Sequence, residues 1–471
     1  MNTQSFFPPT LHFSVTGIPN VARRRFLLRV LLSGILFFLA RQIYLNTTIT
    51  TTNNSSITET HNSLELEIDD HLVNFYSTVF QDLIHDGFLP VDSKTLAVGI
   101  QFLEFTAALT KTGLTNHKST KKNVWLPYRN NTFDFQFSSH TGLDCSPNPG
   151  DFSSELSRTL KPNGYLVIHT ESKDSYSLNS LLSLFDSFKL IRSREIHVQH
   201  WSVQVVREIV LKKQRGILRR RRSCVVPAYK KKLIQHSEGL IHEEPFHAWI
   251  DFKKNLKNMK YLPSMVDISF KTRYVYVDVG ARSYGSSIGS WFKKVYPRQD
   301  KEFKIFAIEA DKQFHAGYKS KKKITLLPYV AWVRNESLFF EINRAPNYYD
   351  EEKGISRMGR VQSAHTSTSF MGDMNKIQGF DFADWVKKSF GENDFVVVKM
   401  DVEGTEFDLI PKLVETGAIC LIDEMFLECH YNRRESCCDG ERSLEYQKEY
   451  KECLELYSLL REKGVLVHQW W

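Results

Sequence analysis

Two common functional signatures are missing from this sequence of 471 residues. Its seven cysteines include no Cys-x-x-Cys pair, which argues against a structural zinc site. It also has no Asp-x-Asp triplet, the metal-binding motif that Golgi glycosyltransferases often carry. The cysteine spacing does not decide between disulfides and free thiols, so both readings stay open.

Acidic residues are absent from residues 1–58. Three arginines at 23–25 precede an apolar run that ends at Leu45, and residues 26–45 span the 20 positions that a membrane helix needs. This pattern predicts a cytosolic tail at 1–22, a signal-anchor transmembrane segment at 23–45 and a polar stem at 46–63, hence a single-pass type II membrane protein of the Golgi. An Arg-rich, acid-free N-terminus is also typical of plastid or mitochondrial transit peptides, and that alternative stays open.

Acidic residues are absent a second time between Lys212 and Lys232, where ten Lys and Arg residues occur. These ten exceed the net charge of the whole chain, which is +8, so the remainder is close to neutral. No general affinity for nucleic acid is therefore expected. We interpret 212–264 as a basic, solvated linker between two globular parts, 64–211 and 265–471.

The first globular part shows strand and helix signals in alternation. Lys94–Gly99 predicts a short buried strand ending in glycine, and Phe102–Thr110 predicts a helix. Only the 13 polar residues 111–123 separate this helix from the segment at Trp125. Because one βαβ crossover takes a dozen or more residues, we expect the second strand and its ribose-binding acid to be missing.

The second globular part has the pattern of an open parallel sheet. Arg273–Asp278 is a β-branched and aromatic run that leads into a turn containing Gly280, and Phe303–Glu309 predicts the next strand. Glycine in such a turn lets the backbone approach a ligand, and an acid that ends the second strand is where Rossmann folds hold ribose hydroxyls. Glu309 is therefore a candidate ligand-binding residue.

The middle of the second part is less regular. The sequence predicts a helix over 288–295, strands over 324–332 and 337–342, and a helix over 381–390. The polar segment 345–379 lacks periodicity, and a loop of that length is often functional. We expect it to cover the substrate.

A dense group of charges follows the buried strand predicted at 394–400. Lys399, Asp401, Glu403 and Glu406 lie at its end, around Gly404, and a helix is predicted over 407–414. In open α/β sheets, ligands bind at the carboxyl ends of the strands. Several charges at that point therefore predict a functional site.

The order of these segments resembles the FkbM-type methyltransferases, which O-methylate sugars and related natural products. The resemblance spans 274–432 and rests on motifs in the family's order: Asp278-Val-Gly280-Ala281, Ile308-Glu309-Ala310, Phe382-Ala-Asp-Trp385, Lys399-Met-Asp-Val-Glu-Gly-Thr-Glu406 and Leu427-Glu428-Cys-His430. Residues 126–170 are similar to the second half of a class I methyltransferase. The two-part layout also resembles plant membrane proteins of the methyltransferase superfamily.

The resemblance implies an α/β protein with a Rossmann-like class I methyltransferase fold in the C-terminal half and a degenerate methyltransferase-like α/β N-terminal half. It implies S-adenosylmethionine as the cofactor, held by four residues: Asp278, Gly280, Ala281 and Glu309. It also implies that Asp401 and Glu403 lie near the transferred methyl group. The turn at 282–284, Arg-Ser-Tyr, departs from the family's Asn- and Gly-containing turn.

Methyl transfer to a hydroxyl needs a base. Asp401 is the first candidate, followed by Glu403 and His430, with Lys399 orienting the acids. A divalent ion on Asp401 would lower the pKa of the hydroxyl, but the spacing demands none, and no metal ligands are assigned. The expected partners are a small-molecule or glycan acceptor and, through the anchor, a membrane. The rival interpretation is a non-catalytic methyltransferase-like scaffold or binding protein of the endomembrane system.

Overall fold

The computed structural model describes residues 68–172, 174–198, 204–216, 225–246, 248–342, 359–362, 373–434, 442 and 446–470. These residues belong to one compact unit that begins at Ile68. The predicted tail, anchor and stem lie outside the described residues. Within the described ranges, no helix is both long enough and apolar enough to cross a bilayer.

The first half forms a six-stranded sheet flanked by helices. Its strands are β1 (Thr95–Val98), β2 (His117–Thr120), β3 (Phe133–Ser138), β4 (Leu160–Thr170), β5 (Phe188–His197) and β6 (Val205–Lys213). The strand order is β2-β1-β3-β4-β6-β5. The first four strands are parallel, and β6 runs antiparallel to both of its neighbours.

Helices cover both faces of this sheet. They are α1 (Asp70–His85), α2 (Phe102–Lys111), α3 (His140–Leu143), α4 (Pro149–Thr159) and α5 (Ser175–Ser183). On one face, α1 and α2 bury Phe80 and Phe105 against Phe137. On the other, α4 and α5 bury Phe152 and Leu181 in a second apolar cluster. The core is therefore split by the sheet into two layers.

The expectation that the second strand is missing from this half is wrong. β2 pairs in parallel with β1, and it lies within the 13 polar residues that seemed too few for a strand. Its side chains are exposed or half-buried, so it has no apolar pattern to reveal it. No acid ends the strand, however: Lys121 and Lys122 follow it.

The segment between the halves contains α6 (Ala228–Gln235), α7 (Ala248–Asn255), a short turn of helix at Leu256–Asn258 and α8 (Leu262–Met265). Not all of its basic residues are solvated. The ammonium of Lys230 lies 3.0 Å from the buried Asp423 carboxylate in the second half. Phe252 from α7 packs into the core of the second half. The segment is thus partly packed rather than a free linker.

The second half contains a large sheet and a small one. Its strands are β7 (Tyr274–Val279), β8 (Phe303–Ile308), β9 (Ile324–Leu327), β10 (Val330–Trp332), β11 (Glu336–Ile342), β12 (Gly359–Gln362), β13 (Asp373–Asp381), β14 (Phe395–Met400), β15 (Glu424–Glu428) and β16 (Leu466–Trp470). The large sheet is parallel throughout, in the order β16-β15-β14-β7-β8-β9. This is the doubly wound Rossmann order, whose switch point lies between its first and fourth strands, β7 and β14.

The helices of this half are α9 (Lys312–Tyr318), α10 (Phe382–Ser389), α11 (Glu406–Glu415) and α12 (Tyr450–Glu462), with short helical turns at Ile288–Phe292 and Ala418–Leu421. The helix predicted over 288–295 is only the first of these two turns. Its aromatic residues pack into the core: Phe292 stacks on Tyr276 at 3.8 Å between ring centroids, and Trp291 packs on Phe426.

Two other predictions for this region need correction. The single strand expected over 324–332 is split into β9 and β10, which belong to different sheets. Pro328 separates them, and proline cannot donate to a ladder. The loop expected over 345–379 ends in β13, which pairs antiparallel with β11. The remainder of that segment, apart from β12, lies outside the described residues.

Three of the described cysteines in the second half are oxidised. Cys429, which directly follows β15, forms a disulfide with Cys453 on α12. Cys420 is also disulfide-bonded. Among the described residues, Cys145 is an exposed free thiol. The disulfide ties the end of β15 to the helix that follows.

Candidate functional site

The two strands at the switch point touch just beyond their carboxyl ends. Gly280 follows β7 with φ +76°, and a Cβ there would lie 1.8 Å from the carbonyl oxygen of Asp401. Only glycine fits such an approach. The amide of Asp401 in turn donates to the carbonyl of Val279 at 3.0 Å. This contact fixes where the strands separate and the ligand crevice begins.

A buried charge pair lies beneath this contact. Asp278 is fully buried, accepts a hydrogen bond from the Ser287 hydroxyl and lies 3.8 Å from the Lys399 ammonium. Burial raises the pKa of Asp278. Although burial would lower the pKa of Lys399, the carboxylates of Asp401 and Asp278 raise it. Lys399 is therefore cationic and joins the ends of β7 and β14.

Three predicted catalytic residues converge above Lys399. The Nε2 atom of His430 lies 3.4 Å from Glu403 Oε2 and 3.7 Å from Asp401 Oδ1. Lys399 Nζ lies 3.3 Å from Asp401 Oδ2. Although burial would raise the pKa of Asp401, Lys399 and His430 lower it. The Asp401 and Glu403 side chains are 27% and 22% exposed, so both can be reached from the crevice.

The buried carboxylate of Glu406, the first residue of α11, positions His430. Its Oε1 atom accepts the His430 backbone N–H at 2.6 Å and lies 3.2 Å from the ring Nδ1. Its Oε2 atom accepts the Gly404 N–H at 2.9 Å. Although burial would lower the pKa of His430, the carboxylates of Glu406 and Glu403 raise it.

Two further members of the site were not assigned from the sequence. Glu428 ends β15, and burial together with the neighbouring Asp401 raises its pKa to about 8. Tyr446 donates its hydroxyl to Glu403, and its ring centroid lies 5.1 Å from that of His430. Glu428 carries the same signal that selected Glu309, a carboxylate ending a buried strand. Tyr446 comes from a segment without a recognisable signal.

The four predicted cofactor residues lie together at the ends of β7 and β8. Glu309 accepts the backbone N–H groups of Arg282 and Asp311, each at 2.6 Å, and burial raises its pKa to about 7. This carboxylate therefore holds the turn after β7. Asp278 and Ala281 are fully buried, so they shape the turn rather than line its surface.

The first sheet has a crevice at the equivalent point, after β1 and β3. A Cβ on Gly99 would lie 2.1 Å from the Ser139 hydroxyl. That hydroxyl is 2.8 Å from Thr141 Oγ1, which donates to Gln101 at 2.7 Å. The small neutral side chains of Ser139 and Thr141 thus lie where Asp401 and Glu403 lie in the second sheet.

Two protein families match parts of the chain. A methyltransferase domain matches residues 105–168, from α2 to β4, and a family described as a domain of unknown function (DUF7870) matches residues 234–337 and 347–471. The methyltransferase match therefore falls on the first half, whose crevice has Ser139 and Thr141 where the second has Asp401 and Glu403. No curated protein matches the chain.

Solved structures similar to the chain include three S-adenosylmethionine-dependent methyltransferases. The 1,6-didemethyltoxoflavin-N1-methyltransferase of Burkholderia thailandensis, solved with S-adenosylhomocysteine, is 13% identical over 37% of this chain and 89% of its own, with a TM-score of 0.25. A methyltransferase of Aquifex aeolicus is 17% identical over 32% of this chain and 94% of its own, with a TM-score of 0.22. A methyltransferase of Methanosarcina mazei is 14% identical over 28% of this chain and 97% of its own, also with a TM-score of 0.22.

The sheet topology and the methyltransferase-domain match together define an α/β, Rossmann-like class I methyltransferase fold, as expected from the sequence. S-adenosylmethionine is the cofactor of this class. The match supports the assignment in the first half. The family that matches the second half has no functional description.

Proposed function

We propose that the chain is an S-adenosylmethionine-dependent O-methyltransferase whose reaction takes place in the crevice of the second sheet. The observation that carries this proposal is the convergence of Lys399, Asp401, Glu403 and His430 at the switch point. The FkbM-type motifs in the same segment support a hydroxyl of a carbohydrate or glycoconjugate as the acceptor.

The residues at the ends of β7 and β8 suit the adenosyl part of the cofactor. Gly280 has no side chain to block an approaching ligand, and the next helical turn begins at Ile288. Each oxygen of Glu309 accepts one backbone N–H and keeps a further lone pair for a ribose hydroxyl. When bound, S-adenosylmethionine supplies an electrophilic methyl group.

Asp401 is the proposed base. It is ionised because Lys399 and His430 lower its pKa, and its side chain reaches the crevice. An acceptor hydroxyl held against Asp401 would pass its proton to this carboxylate. Glu403 is held by Tyr446 and His430 by Glu406, so both are fixed in place to orient the acceptor.

We further propose that this unit faces an oxidising lumen as part of a type II membrane protein. The disulfide between Cys429 and Cys453 supports that compartment, since disulfides are rare in reducing ones. A fluorescent fusion to the full chain tests the location. A signal in the Golgi supports a luminal acceptor, whereas a signal in plastids or mitochondria supports the transit-peptide alternative and contradicts the proposal.

The activity is tested by incubating the full chain with methyl-labelled S-adenosylmethionine and a panel of glycans and small sugar acceptors. The proposal predicts transfer of label to at least one hydroxyl acceptor, with S-adenosylhomocysteine as the co-product. If the folded chain neither binds the cofactor nor transfers label, the scaffold interpretation replaces the enzyme interpretation.

A further inference from the structure

His430 has the surroundings of a metal-binding histidine. Its side chain is 10% exposed, and its two ring nitrogens face different groups. Nδ1 faces the buried Glu406 carboxylate at 3.2 Å, whereas Nε2 faces Asp401 and Glu403. A histidine that ligates a metal usually gives its second nitrogen to a carboxylate or a carbonyl, which fixes the ring and its tautomer. Glu406 is placed to do this.

The distances from Nε2 are long for hydrogen bonds. The gaps of 3.4 Å to Glu403 and 3.7 Å to Asp401 exceed the usual N–H···O range of about 2.7–3.2 Å. One ligand atom from each of Asp401, Glu403 and His430 lies within 4.8 Å of the other two. Around an ion with bonds of about 2.1 Å, ligands at right angles are roughly 3.0 Å apart and opposite ligands roughly 4.2 Å apart. The three ligand atoms would therefore fit around one side of an ion if the side chains moved slightly closer together.

The negative charge of the site also favours a bound cation. In this cluster three carboxylates, Asp401, Glu403 and Glu406, face two basic groups, Lys399 and His430. Negative groups brought together out of water are costly unless a cation balances them. A bound divalent ion would supply that balance at the open edge of the cluster, where the Asp401 and Glu403 side chains are partly exposed.

We propose that Asp401, Glu403 and His430 bind one divalent cation, with Glu406 orienting His430 and Tyr446 orienting Glu403. Two carboxylates and one imidazole favour Mn²⁺ over Mg²⁺, which is held mainly by oxygen. Three protein ligands leave coordination positions open for water or an acceptor hydroxyl. Binding itself needs no methyl transfer, but a role in lowering the pKa of the acceptor hydroxyl rests on the proposed function.

The test is a calorimetric titration of Mn²⁺ into the full chain after treatment with a chelator, without methyl donor or acceptor. We expect one ion per chain. Glu403→Gln and His430→Ala should each weaken binding at least about 100-fold, and Glu406→Gln about 10–100-fold, the usual effect of losing a group that orients a ligand. The matched changes His197→Ala and Glu455→Gln, at exposed positions, should leave binding unchanged.

Circular dichroism establishes that each variant is folded. If His430→Ala does not fold, the isosteric Glu403→Gln alone tests whether loss of a ligand weakens Mn²⁺ binding. Failure of the folded wild-type chain to bind at millimolar Mn²⁺ overturns the proposal. Equal affinity in wild type and Glu403→Gln overturns it as well, because the ion then lies elsewhere. Metal binding without any methyl transfer leaves the metal site standing and counts only against the proposed function.

Discussion

The two halves of the chain place a glycine at the same point of two related sheets and surround it with different chemistry. Gly99 faces Ser139 just as Gly280 faces Asp401, because the strands before them pair in the same parallel register. The same register relates the other positions of the two crevices. Four charged residues of the second crevice have uncharged counterparts in the first: Asp278 corresponds to Ala97, Lys399 to Phe137, Asp401 to Ser139 and Glu403 to Thr141. The fifth, Glu309, corresponds to Lys121, which has the opposite charge.

This difference shows that two sheets with the same strand register can carry different polar groups around the same glycine. The family match to methyltransferases falls on the half that lacks the charges. The charges lie in the half whose matching family has no functional description. Sequence similarity to a fold and the chemistry of a site are thus carried by different parts of this chain.

The largest effect is expected from Asp401→Asn. Loss of a general base slows proton removal by about 10²–10⁴-fold, so methyl transfer should fall by that factor while the fold persists. The matched change in the first crevice, Ser139→Ala, should leave the rate within about twofold, since that crevice is not the proposed catalytic site. Labelled methyl transfer measures both. If Ser139→Ala lowered the rate of methyl transfer as much as Asp401→Asn does, the assignment of the reaction to the second crevice would be contradicted.

The second effect concerns the joint between the halves. The buried Asp423 carboxylate accepts from Tyr176 of the first half at 3.2 Å and lies 3.0 Å from Lys230 and 3.8 Å from Lys271. Asp423→Asn would leave two lysine ammonium groups without their anionic partner, which typically costs about 3–5 kcal/mol of the free energy of unfolding. Urea denaturation measures this cost.

Two controls calibrate that value. Tyr176→Phe removes one hydrogen bond from the same carboxylate and should cost about 1 kcal/mol. Glu302→Gln breaks an exposed pair with Lys323 and should have no measurable effect. If Asp423→Asn is no more harmful than Glu302→Gln, the halves are not coupled through this carboxylate.

The third effect compares the two glycines directly. Gly280→Ala forces a Cβ onto a backbone oxygen at 1.8 Å and places alanine at φ +76°, which should cost about 3 kcal/mol in unfolding free energy. Gly99→Ala meets the Ser139 hydroxyl, a side-chain group that can be removed. A double-mutant cycle should therefore show that Ser139→Ala relieves part of the cost of Gly99→Ala. Absence of coupling there would contradict the packing described for the first crevice.

The smallest effect is a pH dependence that belongs to the second half. His468 lies 2.9 Å from Glu424 and 2.5 Å from Glu238. Although burial would lower the pKa of His468, these carboxylates raise it to about 9. Because this folded pKa is above the unfolded value of about 6.5, the resulting stability is present below pH 6.5 and is lost as the pH rises through about 9.

The free energy of unfolding should decrease from pH 7 to pH 9 by about 2 kcal/mol less in His468→Gln than in the wild type. Denaturation midpoints across that range measure it. The exposed His197→Gln serves as the control and should keep the wild-type slope. An unchanged slope in His468→Gln would mean that the pair does not hold the proton.

Buried strands were the most predictable part of the fold. The predicted segments at 94–99, 303–309 and 394–400 all contain strands of the structure, because continuous apolar runs bounded by polar residues mark parallel strands. β2 was missed because it lies at an edge with exposed side chains and has no such run. The split between β9 and β10 was missed because the apolar pattern continues on both sides of Pro328.

The site was predictable where its residues end strands. Lys399 is the penultimate residue of β14, and Asp401 and Glu403 follow that strand. Their convergence with His430 follows from the parallel pairing of β14 with β15. Tyr446 reaches Glu403 across 43 positions of sequence, and no local pattern reports such a contact. The pairing of Cys429 with Cys453 was unreadable for the same reason, since it depends on how α12 packs against the sheet.

Calorimetric titration of S-adenosylmethionine into the full chain tests most directly which crevice holds the cofactor. We predict micromolar binding by the wild type that is lost in Glu309→Ala, in the second crevice, and retained in Gln101→Ala, in the first, with circular dichroism to establish that both variants fold. Binding that survives Glu309→Ala but is lost in Gln101→Ala would place the cofactor in the first half. That result, or no binding by the folded wild-type chain, would contradict the account.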